Sequence, residues 1–170
     1  MLKVAKFEKV SFEQFEGDWL KCFPESENVK EIYDGIELPQ RATKGSAGYD
    51  FYAPVSIEFK KGESVLIPTG IRAKIATGWV LSIYPRSGLG FKHRCQLDNT
   101  VGIIDSDYYM SSNEGHIMIK MSCDAHNEGH SAAVCAGSGF AQGIFTQFGI
   151  TEDDGAQGIR DGGFGSTTKQ

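Results

Sequence analysis

The chain has 170 residues, 40% of them apolar and 23% charged, and a formal net charge of −5. That length holds one domain with a sizeable buried core, and the acidic balance excludes broad nucleic-acid binding, which needs a basic face. No run is long and apolar enough to cross a bilayer. The opening MLKVAKFEKV lacks the apolar centre and cleavage site of a secretory signal, so a cytoplasmic protein is expected. The four cysteines, Cys22, Cys95, Cys123 and Cys135, are widely spaced with no CxxC pair, which predicts a reduced compartment and free thiols.

Residues 11–23, SFEQFEGDWLKCF, predict a helix. Phe12, Phe15, Trp19 and Phe23 recur at three- and four-residue steps, Ser11 with Gln14 forms a capping box, and Pro24 stops the run. The aromatic stripe reads as core packing. This is the one helix expected, and residues 1–35 form an N-terminal helical extension whose end, with the residues to 40, reads as a polar linker. From about residue 46 the pattern changes to short runs between turn signals: SIEF, SVLIP, IRAKI, WVLSIYP, TVGIID, HIMIKMSC, SAAVCA and GFAQGIFTQFGI. Many short strands so spaced predict an all-β sandwich or barrel over residues 36–150. Residues 151–170 join an acidic linker to the glycine-rich RDGGFGSTTKQ. That tail is either a frayed terminus or an arm that orders over a ligand, with Phe164 as its aromatic platform.

Several stretches carry chemistry. PRSGLG (85–90) follows a strand. It is either an ordinary turn or a phosphate site made of Arg86, the Ser87 hydroxyl and backbone N–H groups, Gly88 among them. DNTVGIIDSDYY (98–109) reads as a hairpin, with Asp105 at a strand end as either a turn residue or a general base toward water. Cys123, His126, His130 and Cys135 suggest zinc, but the spacing matches no finger or ribbon and DAHNEGH also reads as a polar turn. An EF-hand starting at Asp105 fails, because Met110 stands where glycine is needed and His116 where glutamate is needed. The chain holds no P-loop, GxSxG elbow or HExxH zinc-protease motif.

Five stretches, GSAGYDFYA (45–53), PRSGLG (85–90), LDNTVGIIDSDYY (97–109), GSGFAQGIF (137–145) and RDGGFGST (160–167), resemble in order the five motifs of the trimeric dUTP diphosphatases (dUTPases). The resemblance spans roughly residues 36–168. It implies a jelly-roll-like β fold and a homotrimer with active sites between subunits, each closed by a neighbour's C-terminal arm. It implies cleavage of dUTP to dUMP and pyrophosphate, which limits uracil in DNA, with Mg²⁺ held by substrate phosphates and waters rather than directly by the protein. By position, Asp105 matches the water-activating aspartate. Asn99 and the backbone from Gly102 to Ile104 match the uracil-reading edge. Tyr108 matches the ring under the deoxyribose that leaves no room for a 2′-hydroxyl. Arg86, Ser87, Gly88 and Gln142 match the phosphate contacts, and Asp50 the aspartate that orients the metal's waters. Phe164 matches the uracil-stacking aromatic, with Arg160, Gly165, Ser166 and Thr167 on the phosphates.

Three departures accompany the resemblance. Gly137-Ser138-Gly139 stands where the family has Gly-Asp-Arg. Met110, followed by SSNEGH, replaces a glycine and predicts a longer or altered turn. Arg160 stands one residue closer to the aromatic than is usual. Two other readings stay open: a dCTP deaminase of the same fold, which needs a glutamate that the hairpin lacks, and a non-enzymatic nucleotide sensor.

Overall fold

The computed structural model of the chain describes residues 2–60, 62–124, 132–158 and 160. His126 and His130 of the zinc reading, and Phe164, Gly165, Ser166 and Thr167 of the arm, lie outside the described residues. The chain runs through β1 (Ala5–Lys9), α1 (Phe12–Cys22), α2 (Val29–Asp34), β2 (Tyr49–Tyr52), β3 (Ile57–Phe59), β4 (Ser64–Pro68), β5 (Ile71–Ile75) and β6 (Trp79–Pro85). It continues through α3 (Ser87–His93), β7 (Cys95–Leu97), β8 (Gly102–Ile104), a 3-10 turn (Ser106–Met110), β9 (Met118–Cys123), β10 (Ala132–Val134) and β11 (Gly139–Gln147). The fold is mostly β with few helices.

The strands form four small antiparallel sheets, ordered β2-β11-β6-β8, β4-β9-β7, β1-β5 and β10-β3. Period-two alternation builds them: in β5 Ile71, Ala73 and Ile75 point inward while Arg72 and Lys74 point out, and in β9 Ile119, Met121 and Cys123 are buried. At Gly143 a Cβ would sit 2.7 Å from Leu81 Cδ1 and 3.0 Å from Phe51 Cε2, so glycine lets β11 pack closely there.

The predicted helix is present as α1, with Phe15 and Trp19 fully buried and Ser11 as its N-cap. Its capping differs from the expected box. The Gln14 amide N–H does donate to Ser11 Oγ (3.1 Å), but the Gln14 side chain reaches Asp18 instead (2.7 Å). Glu114, far along the chain, takes the Ser11 N–H (2.8 Å). Phe7, Val10, Phe15, Trp19 and Val29 belong to the same core cluster as Ile67, Leu81 and Phe140, and β1 pairs with β5. The N-terminal segment is thus built into the body of the fold.

Two helices stand where none was expected. The six residues of α2 fall in the expected linker and bury only Val29, too little apolar surface to make a periodic pattern. The seven of α3 occupy the expected PRSGLG turn; they bury nothing and include two glycines, which disguise the helix. The expectation of free thiols at Cys95 and Cys123 is also corrected: they form a disulfide, while Cys22 and Cys135 are free. The two half-cystines are cross-strand partners in the β7–β9 ladder with Cα atoms 3.9 Å apart, a proximity that their separation of 28 residues in sequence does not reveal. Thiol titration of the denatured protein is expected to count two thiols per chain without reductant and four with it. Opening this bridge is expected to lower stability by about 2–4 kcal/mol, read from denaturant midpoints; four thiols before reduction would show the bridge open. No helix among the described residues is long and apolar enough to cross a membrane.

Candidate active site

The chain segment from Leu97 to Ile104 passes from one sheet to another. The expected hairpin over residues 98–109 is corrected here: β8 pairs with β6, and after it the chain enters the 3-10 turn Ser106–Met110 instead of a returning strand. The connecting turn is tight, with Thr100 in the left-handed region at φ 63° and hydrogen bonds from Thr100 N–H to Leu97 O (2.9 Å) and Val101 N–H to Asn99 O (2.7 Å). A Cβ at Gly102 would meet Ile83 Cβ at 3.1 Å, so glycine lets β8 approach β6 closely. β8 is the edge strand of its sheet, which leaves its outer N–H and C=O groups unused by that ladder.

Beside this edge lies a cavity of about 480 Å³. Asn99, Gly102, Ile104, Tyr108 and Arg160 line it, together with Ile83, Leu97 and the start of β9. Its volume suits a nucleoside-sized ligand, and its wall combines apolar side chains with main-chain polar groups.

Asp105 caps the 3-10 turn in an extended conformation with its side chain half-exposed. Its Oδ2 accepts from Arg160 Nη1 at 2.5 Å, and the same nitrogen lies 3.6 Å from Asp107 Oδ1. The Arg160 guanidinium stands 5.1 Å from the centroid of the Tyr108 ring. Tyr108 is buried; its hydroxyl donates to the His116 carbonyl (2.8 Å) and accepts from Asn113 Nδ2 (2.8 Å). Burial pushes the Tyr108 phenol up from its ordinary value, so the hydroxyl remains a donor at neutral pH.

Asp50, Arg86, Ser87, Gly88 and Gln142 are not among the residues lining this cavity. Asp50 on β2 and Gln142 on β11 are cross-strand partners. Arg86, at the end of β6, forms an ion pair with Asp50, and Gln142 Nε2 donates to Pro85 O at 3.3 Å. Ser87 and Gly88 open α3 directly after Arg86. The Ser138-Gly139 departure adjoins this cluster: a Cβ at Gly139 would lie 3.5 Å from Asp50 Cβ and 3.9 Å from Arg86 Cζ. One chain therefore presents two groups, the Asp50–Arg86–Gln142 cluster at the β2–β11–β6 end and a cavity holding Asn99, Gly102, Tyr108, Asp105 and Arg160 at or beside its wall. Among the described residues no three His, Cys, Asp or Glu side chains converge as a metal cage.

Sequence reasoning passed over four residues that support this cavity: Asp18, Asn113, Glu114 and His116. The last three sit in the SSNEGH stretch, where the only signal was its departure from the family pattern. The side-chain partner of His116 lies 98 residues away at Asp18 and that of Glu114 lies 103 away at Ser11, while Asn113 donates to nearby Tyr108.

The sequence profile of the dUTPase family matches residues 34–168. The chain is 41% identical over 136 residues, covering 78% of this chain and 89% of its relative, to the deoxyuridine 5'-triphosphate nucleotidohydrolase of Lactococcus lactis subsp. lactis. It is 42% identical over 147 residues to the enzyme of that name from Haemophilus influenzae, covering 82% of this chain and 92% of the other. The crystal structure of dUTPase from Streptococcus mutans superposes with a TM-score of 0.61 at 31% identity, covering 86% of this chain and 98% of that one. The chain belongs to the dUTPase family.

Proposed function

We propose that this protein hydrolyses dUTP to dUMP and pyrophosphate by attack of water on the α-phosphorus, with Asp105 accepting the water's proton. The observation that carries the reading is the cavity in which an unpaired strand edge, a buried tyrosine ring and a neighbouring aspartate meet. Uracil offers an acceptor–donor–acceptor edge that the outer groups of β8 and Asn99 can pair, whereas cytosine would leave a donor unpaired. The Tyr108 ring forms the floor under the deoxyribose and excludes a 2′-hydroxyl by contact.

Arg86, Ser87, Gly88 and Gln142 then bind phosphate oxygens, contributed from a neighbouring copy in a homotrimer. Support for that division is the separation of the two groups within one chain. Phe164, Gly165, Ser166 and Thr167 close over the nucleotide, with Phe164 on the base and the hydroxyls on phosphate. Arg160 stands on Asp105 in the closed ion pair and must move off toward the γ-phosphate before water can take its place. Closure excludes bulk water and strengthens every charge contact inside.

Mg²⁺ takes oxygen donors and keeps several of its waters. The donors present fit that habit: the Asp50 carboxylate beside Arg86 would orient the ion's waters, with the substrate phosphates completing the shell. When bound, the ion neutralises triphosphate charge. The substrate is a soluble nucleotide, which favours action in the cytoplasm, with neither nucleic acid nor membrane as partner.

A pyrophosphate-release assay over dUTP, UTP, dTTP and dCTP, with and without Mg²⁺, tests the reading. Release from dUTP is expected to exceed that from UTP, dTTP or dCTP by at least about 100-fold, to need Mg²⁺, and to occur without ammonia from dCTP. Ammonia release from dCTP would instead support the deaminase, and no turnover of any nucleotide would support a sensor.

A further inference from the structure

His116 is fully buried and its ring bridges two segments. The Gly70 N–H donates to Nε2 (2.8 Å), so the ring proton resides on Nδ1, which donates to Asp18 Oδ2 (2.8 Å). Asp18 belongs to α1 and has two further donors, Gln14 Nε2 (2.7 Å) and Lys21 Nζ (3.0 Å). The hydrogen bond from His116 is the chief cause holding the Asp18 carboxyl far below the usual aspartate range. The backbone of the same histidine carries the second connection, because its carbonyl accepts the Tyr108 hydroxyl.

The loop is held at other points by the same N-terminal segment. Glu114 takes both the N–H (2.8 Å) and the Oγ–H (2.6 Å) of Ser11. Tyr109 Oη donates to Glu8 of β1 (2.5 Å). From outside that segment, Arg72 of β5 adds a contact, stacking 3.7 Å from the Tyr109 ring centroid and donating to the Tyr109 carbonyl (2.6 Å). Residues 8–18 therefore grip 109–116 from Tyr109 to His116, and they lie outside the stretch, 34–168, that matches the family profile.

We infer that the N-terminal segment is the positioning element of the sugar pocket: Asp18 and His116 are positioning residues that set the Tyr108 ring and thereby the discrimination of dUTP from UTP. The inference rests on the reading of Tyr108 as the sugar floor. Exclusion of one hydroxyl by contact depends on where the ring stands to a fraction of an ångström, and a misplacement of about 1 Å at such a site can cost on the order of 100-fold. A tyrosine fixed only by its own 3-10 turn would have its hydroxyl solvated. Here the hydroxyl is tied through one peptide and one imidazole to a carboxylate on α1, a helix anchored in the core by Phe15 and Trp19.

The test is the ratio of kcat/KM for dUTP over UTP, measured beside the melting temperature in Asp18→Ala, Asp18→Asn, Ser11→Ala and Tyr108→Leu. Asp18→Ala is expected to raise KM for dUTP and lower the ratio by about tenfold. Asp18→Asn, whose amide oxygen still accepts from Nδ1, is expected to restore the ratio to within about twofold. A lowered melting temperature with an unchanged ratio in Asp18→Ala would overturn the inference, because a merely structural carboxylate moves only the former. If Asp18→Ala does not fold, Ser11→Ala removes the hydroxyl bond to Glu114 on the same loop while its main-chain N–H still donates there, and carries the same expectation with a smaller drop; an unchanged ratio there overturns the inference too. An unchanged ratio in folded Tyr108→Leu would instead remove the sugar-floor reading itself, and the inference with it.

Discussion

Replacing Asp105 by asparagine is expected to lower dUTP turnover by about 10²–10⁴-fold while leaving dUTP binding close to that of the parent. On the proposed reading the substitution removes the proton acceptor and little else. Asp105 is half-exposed and makes no capping bond from its side chain. Its partner Arg160 can still donate to an amide oxygen, so stability is expected to change by no more than about 0.5 kcal/mol. Single-turnover pyrophosphate release and calorimetric titration with dUTP separate the two effects. Parent-like turnover in this protein would move the general base elsewhere.

Gly115→Ala is expected to cost about 3 kcal/mol or more. Gly115 has φ 69°, and a Cβ there would stand 2.6 Å from Tyr108 O and 2.8 Å from Tyr109 Cα. Both neighbours are main chain, so no rotamer change relieves the overlap and the Tyr108–Tyr109 backbone must shift. Gly78 provides the comparison: its φ is 81°, yet a Cβ would meet nothing within 4 Å. Gly78→Ala is expected to cost only the left-handed strain, about 1 kcal/mol. Denaturant midpoints of the two variants measure the difference. Equal losses would show that the loop yields freely around Gly115, and the tight hold on Tyr108 would fail with them.

How much could be read from the chain follows from the range of each interaction. Local signals sufficed for α1, where Phe15 and Trp19 repeat at helical spacing and Ser11 and Pro24 mark the ends, and for IRAKI, whose alternation is β5. The stretches carrying Asn99, Asp105 and Tyr108 were legible because they are short and contiguous. Pairing partners were not. DNTVGIIDSDYY looks like a hairpin, yet β8 pairs with the distant β6 and the stretch after it winds into a 3-10 turn, a partner that local turn signals do not name. Cys95 and Cys123 meet because β7 and β9 pair. His116 in a polar stretch carries no periodicity at all, and its burial depends on Asp18 arriving from α1 with the right hydrogen-bond acceptor.

On the proposed reading of β8, the base is discriminated mostly by peptide groups, with Asn99 the one side chain beside them. Exchanging Ile103, which points away from the core and is more than half exposed, cannot rewrite that code letter by letter. Only a slip of the whole strand against Ser82 and Ile83 would do so, and such a slip would turn Ile104, packed against the core, outward. Nucleobase choice is therefore insulated from ordinary mutational drift, while tolerance of the sugar remains open to change one residue at a time.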